Sequence, residues 1–406
     1  MSSRAALRGE ALTILLISSA HWISHFHLLV LISLFPVLRD RMHLSFIQLG
    51  LILTVFNVVS VISQTPMGFL VDRYGARRLL TGGLCIGGIA FILAGLTRDY
   101  ATLLTAAALL GVSNSVYHPA DYAILSSHIS SERIGRAFSY HTFAGFLGSA
   151  LAPPLALGIA LHAGLESTFI AAGGLALAVA VPLSFARRLD GIPQHMVQPQ
   201  TAAKVGARAL LSPLVIVLTV WFAFLNLSTS GLQSFSAVAL MKLYGTPLAV
   251  ASAALTAYLI GIATGVLTGG HLADKTKRHA DIAAAGFGVM ALVTLAIGYV
   301  NLGVAVVLAL GVVGFLAGLI MPSRDMLVLE SAPPGASGRV FGIVTTGFNI
   351  GGTVGPMIYG WLLDDGQPRT IFVVSVGFMV LTILIALGTD RSERAKRLST
   401  ASARSV

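Results

Sequence analysis

Long apolar runs alternate with short polar ones along almost the whole chain. The runs are long enough for helices of about 20 residues, the length that crosses a bilayer, and strand-length alternation is absent. The pattern predicts an all-α integral membrane protein with twelve transmembrane helices, spans 1 to 12. The predicted spans are 11–37, 46–71, 78–97, 101–127, 135–161, 166–187, 210–238, 247–273, 280–299, 302–329, 336–362 and 370–389.

Polar stretches divide the spans into two groups of six. Residues 1–188 are predicted to form an N-terminal six-helix bundle and residues 209–390 a C-terminal one. A polar cytoplasmic linker at 189–208 joins them, and residues 391–406 are predicted to be a basic cytoplasmic tail.

Composition agrees with membrane insertion. Of 406 residues, 55% are hydrophobic and only 10% are charged, and the mean hydropathy is +0.85, whereas a soluble protein carries roughly 25% charged residues. The chain therefore requires a lipid bilayer. Cys85 is the single cysteine, so an internal disulfide is impossible.

The net charge of +10 is explained by topology rather than by a nucleic-acid partner. Most Lys and Arg residues fall in segments that lie on the inner side if the N-terminus is cytoplasmic. This bias predicts an inner-membrane protein with both termini in the cytoplasm.

An internal repeat relates the two halves at a nearly constant offset. Its matched pairs are Asp72 with Asp274, Pro119 with Pro322, Gly148 with Gly351, and Pro153 with Pro356. Such a repeat indicates two parallel, pseudo-symmetric bundles with a substrate site near the membrane midplane and access that alternates between the two sides.

A short turn that is rich in glycine and charged residues separates spans 2 and 3. Gly68 is predicted to allow close helix approach and Gly75 to supply a positive φ, and the remaining motif positions are Asp72, Arg73, Arg77 and Arg78. A second copy keeps Gly270, Asp274 and Lys275 but has Lys277 in place of the second glycine.

The complete first copy resembles the signature of the major facilitator superfamily. The resemblance implies twelve helices in two six-helix bundles, a cavity lined by spans 1, 4, 7 and 10, and a monomer. A narrower run, His118-Pro119-Ala120-Asp121-Tyr122 with Gly135-Arg136 and His141 to Gly145, is similar to transporters grouped with fosmidomycin-resistance proteins. That similarity implies exchange of a small phosphonate or related anion for protons.

Placing a polar side chain in the hydrocarbon of the bilayer costs free energy, so the polar residues inside the spans are candidates for functional roles. On span 4, Asn114, His118 and Asp121 share a face, and Tyr117 is nearby. The repeat pairs Asp121 with Arg324 of span 10. Three interpretations of Arg324 are open: a ligand for an anionic solute, an inner gate with Asp121, or a structural residue that pairs with nearby acids.

Titratable groups on spans 1 and 4 predict proton coupling. His21 and His25 share a face of span 1, whereas His27 points elsewhere, and Asp121 is the expected proton carrier with His118 or His25. His21 and His25 also have the spacing of metal ligands, but no third ligand is evident, so no metal site is predicted.

The predicted function is secondary active transport of a small organic anion, coupled to protons. The predicted substrate ligands are Arg324, His118, Asn114, Tyr117, Asn226, Ser230, Gln233, His25 and Tyr258. The alternative is a proton-coupled multidrug antiporter for amphiphilic compounds. Neither a phosphate-binding Gly-rich loop nor a clustered catalytic constellation occurs in the sequence, so no cofactor and no enzyme activity are expected.

Overall fold

The computed structural model describes residues 3–97, 99–130, 133–190, 212–274, 278–331 and 337–403. Its α-helices within those ranges are α1 Ser3–Ser33, α2 Phe35–Met42, α3 Phe46–Tyr74, α4 Ala76–Leu96, α5 Tyr100–His128, α6 Ile134–Phe185, α7 Pro213–Tyr244, α8 Leu248–Asp274, α9 His279–Tyr299, α10 Val306–Ser331, α11 Ser337–Asp364 and α12 Pro368–Ala403. Short 3₁₀ turns lie at Arg187–Leu189 and Gly303–Ala305.

The chain forms two compact units, Met1–Gln198 and Pro199–Val406. In the first unit, α1 packs on α6, α3 on α5, and α4 on both α5 and α6. In the second, α7 packs on α11 and α12, α8 on α10, and α9 on both α10 and α12. Each half of the sequence repeat therefore builds the same set of helix pairs. Most of the predicted linker lies outside the described residues.

The observed helix boundaries differ from those of the predicted spans at three places. The described part of the chain has nine helices long and apolar enough to cross a membrane; α5 and α11, predicted as spans 4 and 11, are not among them, and one of the nine, Arg136–Phe185, has 50 residues. Gly164 interrupts that helix with φ 90° and ψ 165°, so α6 supplies both spans 5 and 6. At the other two places, Leu34 separates α1 from α2, and α12 continues to Ala403 beyond the predicted end of span 12.

Helix starts are encoded locally. Ser45 and Gln48 form a reciprocal capping box at the start of α3, in which each side chain accepts from the other residue's backbone N–H. The Asp99 side chain accepts from the Thr102 backbone N–H, 2.8 Å away, at the start of α5. Such caps satisfy donors that a helix N-terminus leaves unpaired.

The turn between α3 and α4 is a single residue. Gly75 has φ 94° and ψ 133°, which confirms the predicted positive φ. The close approach expected at Gly68 is not found, because an added Cβ would meet no atom of the described residues within 4 Å. Gly68 lies on a part of α3 whose neighbouring side chains, Phe69 and Leu70, are exposed.

Among the motif arginines, Arg77 is buried and bonded to the end of α6. Its guanidinium donates to both Asp190 oxygens at 2.7 Å and also to the backbone carbonyls of Leu183 and Ser184. The other charged side chains of the first copy are exposed, namely Asp72, Arg73 and Arg78. In the second copy, Gly270 is half-buried and Asp274 ends α8, while Lys275 lies outside the described residues.

Glycines allow the closest helix pairs. The α11 stripe of Gly347, Gly351 and Gly355 lies against α7, where an added Cβ at Gly351 would come within 2.6 Å of the Ala223 carbonyl oxygen. Side chains at these positions would force the two backbones apart.

Candidate functional site

A cluster of histidines surrounds one carboxylate where α1, α5 and the first part of α6 meet. Helix α1 contributes His21 and His25, α5 contributes His118 and Asp121, and α6 contributes His141. We name these five residues the His–Asp cluster. All five belong to the first unit.

Two glycines of α6 make room for the cluster. A Cβ added at Gly145 would lie 2.8 Å from the His21 ring and 3.0 Å from the His25 ring. One turn further on, Gly148 faces the backbone carbonyl of Trp22. Because α6 has no side chains at these positions, it approaches α1 closely and the imidazoles occupy the space.

Asp121 is the centre of the cluster and is completely buried. Its Oδ2 lies 2.9 Å from His141 Nε2 and 3.5 Å from His21 Nδ1. The His21 and His141 rings stack with their centroids 3.8 Å apart. Asp121 Oδ1 has no hydrogen-bond partner among the described residues.

The cluster reaches the surface through His118 and Tyr122. The exposed His118 ring lies 5.4 Å from the His21 ring and stacks on Tyr122, which is itself exposed. His25 extends the cluster along α1: its ring lies 4.7 Å from that of His21, and its Nδ1 is 3.2 Å from Ser149 Oγ. Titratable groups thus form a continuous series from the buried carboxylate outward.

The arrangement can hold a proton or a cation. A buried carboxylate is costly unless it is neutralised or paired. The side chains that pair with Asp121 are the imidazoles of His21 and His141, and imidazole is the side-chain group that ordinarily titrates closest to neutral pH. The neutral imidazole nitrogens also offer lone pairs.

The structure brings together all four residues predicted for proton coupling. In the sequence analysis His141 is only part of the run that resembles a transporter subgroup, and it has no predicted role there. The available signal was spacing, since His141, Gly145 and Gly148 lie on one helical face. His27 points away from the cluster as predicted, with Nε2 3.1 Å from the Ala172 carbonyl oxygen.

Two predicted ligands on α5 lie apart from the cluster. Asn114 Nδ2 donates to Ser60 Oγ on α3 at 2.7 Å. The residues of the predicted face, Asn114, His118 and Asp121, therefore do not all contact the same neighbouring helix. Tyr117 is only 2% exposed and packs in the hydrophobic core of the first unit. Two turns of helix are enough to change the neighbour of α5 from α3 to α1 and α6.

The predicted polar face of α7 lies against α11. Asn226 is buried beside Gly351, and Ser230 faces Gly355. Gln233 is half-buried, and Tyr258 on α8 is 1% exposed. Their predicted roles as substrate ligands stay predictions.

Arg324 on α10 is held by its neighbour. Its Nε donates to Asp325 Oδ1 at 2.8 Å, and its guanidinium carbon lies 5.0 Å from the centroid of the Phe222 ring. This contact matches the structural interpretation of Arg324. Asp121 belongs to the first unit and Arg324 to the second.

Comparisons with known proteins agree with this architecture. The family model described as Major Facilitator Superfamily matches residues 17–239 and 216–405. The chain is 27% identical over 390 residues to the Fosmidomycin resistance protein of Escherichia coli (strain K12), covering 93% of each chain. It is 24% identical over 380 residues to a probable sulfoacetate transporter of Cupriavidus necator, covering 87% of each chain.

A solved structure has the same fold. It is a bacterial homolog of the human lysosomal transporter Spinster, in an inward-facing, unoccupied conformation. The match has a TM-score of 0.78 at 15% identity and covers 96% of this chain and 98% of that one. The predicted twelve-helix fold with two bundles is thereby confirmed.

Proposed function

Since this chain belongs to the Major Facilitator Superfamily, we propose that it exchanges a small organic anion for protons by alternating access. The observation that carries the proposal is the buried Asp121 carboxyl between His21 and His141. A membrane-embedded carboxyl in such surroundings is costly as an unpaired charge, so gaining or losing a proton changes the energy of the conformation that buries it.

Proton binding and conformational change are linked through this cost. When Asp121 is neutral, the first unit can bury it cheaply. When its proton leaves, the charge must be met by an imidazolium or by contact with water. His118, at the exposed edge, is the group that relays the proton, and His25 extends the relay along α1.

Arg324 supports the choice of an anion as the solute. Its guanidinium is half-buried and held by Asp325, and a carboxylate, sulfonate or phosphonate could replace Asp325 as its partner. The relative named as a probable sulfoacetate transporter points to the same class of solute.

A second function, export of amphiphilic drugs, is favoured by the same contacts. Asp325 neutralises Arg324, and Phe222 covers one face of the guanidinium. A site of this kind presents an aromatic ring and no net charge, which suits an amphiphilic cation. Under this alternative Arg324 is structural.

The orientation we propose places the protein in the cell inner membrane as a monomer with both termini in the cytoplasm. The distribution of Lys and Arg supports it. On this assignment the α3–α4 turn and the Arg77–Asp190 pair lie on the cytoplasmic side.

Thermal unfolding of the detergent-purified protein separates the two solute classes. A ligand at about 100 times its dissociation constant stabilises its binding state by about 2.7 kcal/mol. We expect sulfoacetate and related anions to raise the midpoint and tetraphenylphosphonium to leave it unchanged. A shift with tetraphenylphosphonium alone would establish the alternative.

Proteoliposomes carrying Asp121→Asn test the coupling. Asparagine keeps the shape of the side chain but cannot carry the proton. We expect uptake of the stabilising anion against its gradient, driven by an imposed pH difference, to be lost, while exchange of labelled for unlabelled anion continues.

Asp99→Asn is the matched control, because Asn also caps helices well and Asp99 lies on the exposed surface at the start of α5. If Asp121→Asn accumulates the anion as well as Asp99→Asn does, the proton role of Asp121 is wrong.

A further inference from the structure

We propose that His21, Asp121 and His141 form a binding site for a divalent transition-metal ion of the Zn²⁺ class. The inference goes beyond the proposed transport, because binding of the ion requires neither a solute nor a proton gradient. It rests on donor atoms that three separate helices bring to one buried point.

The distances fit a tetrahedral ion. One nitrogen of each histidine and one Asp121 oxygen all lie within 4.8 Å of one another. Zinc bonds of about 2.0–2.1 Å at tetrahedral angles place ligand atoms about 3.3 Å apart. The Oδ2 distances of 2.9 Å to His141 Nε2 and 3.5 Å to His21 Nδ1 lie on either side of that value.

The donor types select the class of ion. Two imidazole nitrogens and one carboxylate oxygen are characteristic ligands of Zn²⁺ and its transition-metal neighbours. Mg²⁺ and Ca²⁺ prefer sites made of oxygen atoms. The site should therefore discriminate strongly against the two abundant alkaline-earth ions.

Unsatisfied atoms give a second, independent indication of a ligand. His21 Nδ1 and Asp121 Oδ1 are buried and have no hydrogen-bond partner among the described residues. Buried polar atoms usually have partners, and a metal ion held by Asp121 Oδ2 and His141 Nε2 would give His21 Nδ1 the partner it lacks.

Access and a fourth ligand are also at hand. The exposed His118 lies next to His21 and marks a route inward, and three protein ligands leave the fourth position of a tetrahedral ion to water. Spacing on α1 alone failed to predict this site because Asp121 and His141 come from other helices.

Cobalt(II) titration of the purified, tag-free protein in detergent tests the proposal. We expect one Co²⁺ per chain, with the intense visible absorption of a four-coordinate ion, displaced by Zn²⁺ and unaffected by excess Mg²⁺. Loss of a hydrogen bond to a metal ligand commonly weakens metal binding by about 10–100-fold, so His141→Gln, which removes a ligand itself, should weaken Zn²⁺ binding at least tenfold.

His162→Gln provides the matched control, because His162 is an exposed histidine on the same helix, bonded to the Gly158 carbonyl. Thermal unfolding of each variant without metal shows whether it is folded. If His141→Gln does not fold, His21→Gln replaces it. Equal Zn²⁺ affinity in the folded ligand variant and in His162→Gln, or no visible Co²⁺ spectrum in the wild type, would overturn the proposal.

Discussion

The two units use the same helix crossing to support opposite chemistry. In the first unit, Gly148 of α6 faces the carbonyl of Trp22 on α1. In the second, Gly351 of α11 faces the carbonyl of Ala223 on α7. The sequence repeat pairs these two glycines, so the residues preceding the two carbonyls, His21 and Phe222, occupy corresponding places.

What each ring contacts is the informative difference. His21 lies against Asp121, whereas Phe222 lies against Arg324, and the repeat also pairs Asp121 with Arg324. An imidazole ring, with its nitrogen lone pair and proton, can pair with the Asp121 carboxyl. A phenyl ring, with its negative π face, attracts the Arg324 guanidinium cation. In the functions that we propose, this contrast assigns protons or a metal ion to the first unit and an anion or an aromatic amphiphile to the second.

Gly145→Ala should have the largest effect, because it acts where the comparison is sharpest. The new Cβ would lie 2.8 Å from the His21 ring, which stacks on His141 and cannot retreat without leaving Asp121. Overpacking of this kind costs about 1–3 kcal/mol. We expect a lower unfolding midpoint and loss of anion accumulation driven by a pH difference.

Gly158→Ala is the control on the same helix, since in the part of the chain that the structure describes a Cβ there meets no atom within 4 Å. Alanine favours a helix over glycine by up to about 1 kcal/mol, so this variant should be as stable as the wild type or more so. Equal accumulation by the two variants would show that the position of His21 is irrelevant to transport.

Substitutions at Arg324 and Asp325 test the second unit and should have the next largest effect. Arg324→Gln should weaken anion binding, seen as the ligand-induced shift of the unfolding midpoint, by at least about tenfold, or about 1.4 kcal/mol. Asp325→Asn should strengthen anion binding, because the guanidinium loses its competing partner.

The conservative variant separates charge from shape. Arg324→Lys keeps the positive charge but loses the planar fork, so it should retain part of the anion affinity. If neither Arg324→Gln nor Asp325→Asn changes the anion-induced shift, Arg324 is structural and the contrast between the units does not extend to the solute.

Sequence reasoning predicted what depends on local pattern and missed what depends on helix packing. The apolar runs located the membrane-crossing helices, and Gly75 marked the one-residue turn, because both are set by neighbouring residues. The partners of His141 and Asn114 depend on which helix lies opposite each turn of α5 and α6. No periodicity within one helix contains that information.

Gly68 shows the converse error. A glycine at a motif position was expected to allow helix contact, yet none of the described residues lies within 4 Å of the place a Cβ would take. The sequence shows that position 68 has no side chain, but it does not show whether another helix packs into the space that this leaves.

The two copies of the turn motif give the last comparison and the smallest expected effect. Arg77 is buried and bonds Asp190 on another element, whereas Arg278, which ends the second copy just before α9, is exposed and bonds Asp281 in the first turn of that helix. Asp190 is partly exposed, so solvent limits the value of the pair to about 1 kcal/mol. Arg77→Gln should lower the free energy of unfolding by about that amount, and Arg278→Gln by less than about 0.5 kcal/mol.

The pH dependence identifies the source of that difference. The hydrogen bond from Arg77 holds the pKa of the Asp190 carboxyl below its ordinary value, so the native state binds the Asp190 proton less tightly than the unfolded chain does. The pair therefore stabilises the fold fully above the unfolded pKa of about 3.9 and loses its effect as the pH falls through the lower, folded pKa. Thermal unfolding of the wild type and Arg77→Gln should differ near neutral pH and converge in acid. A difference that persists in acid would assign the stabilisation to the bonds from Arg77 to the Leu183 and Ser184 carbonyls, which do not titrate.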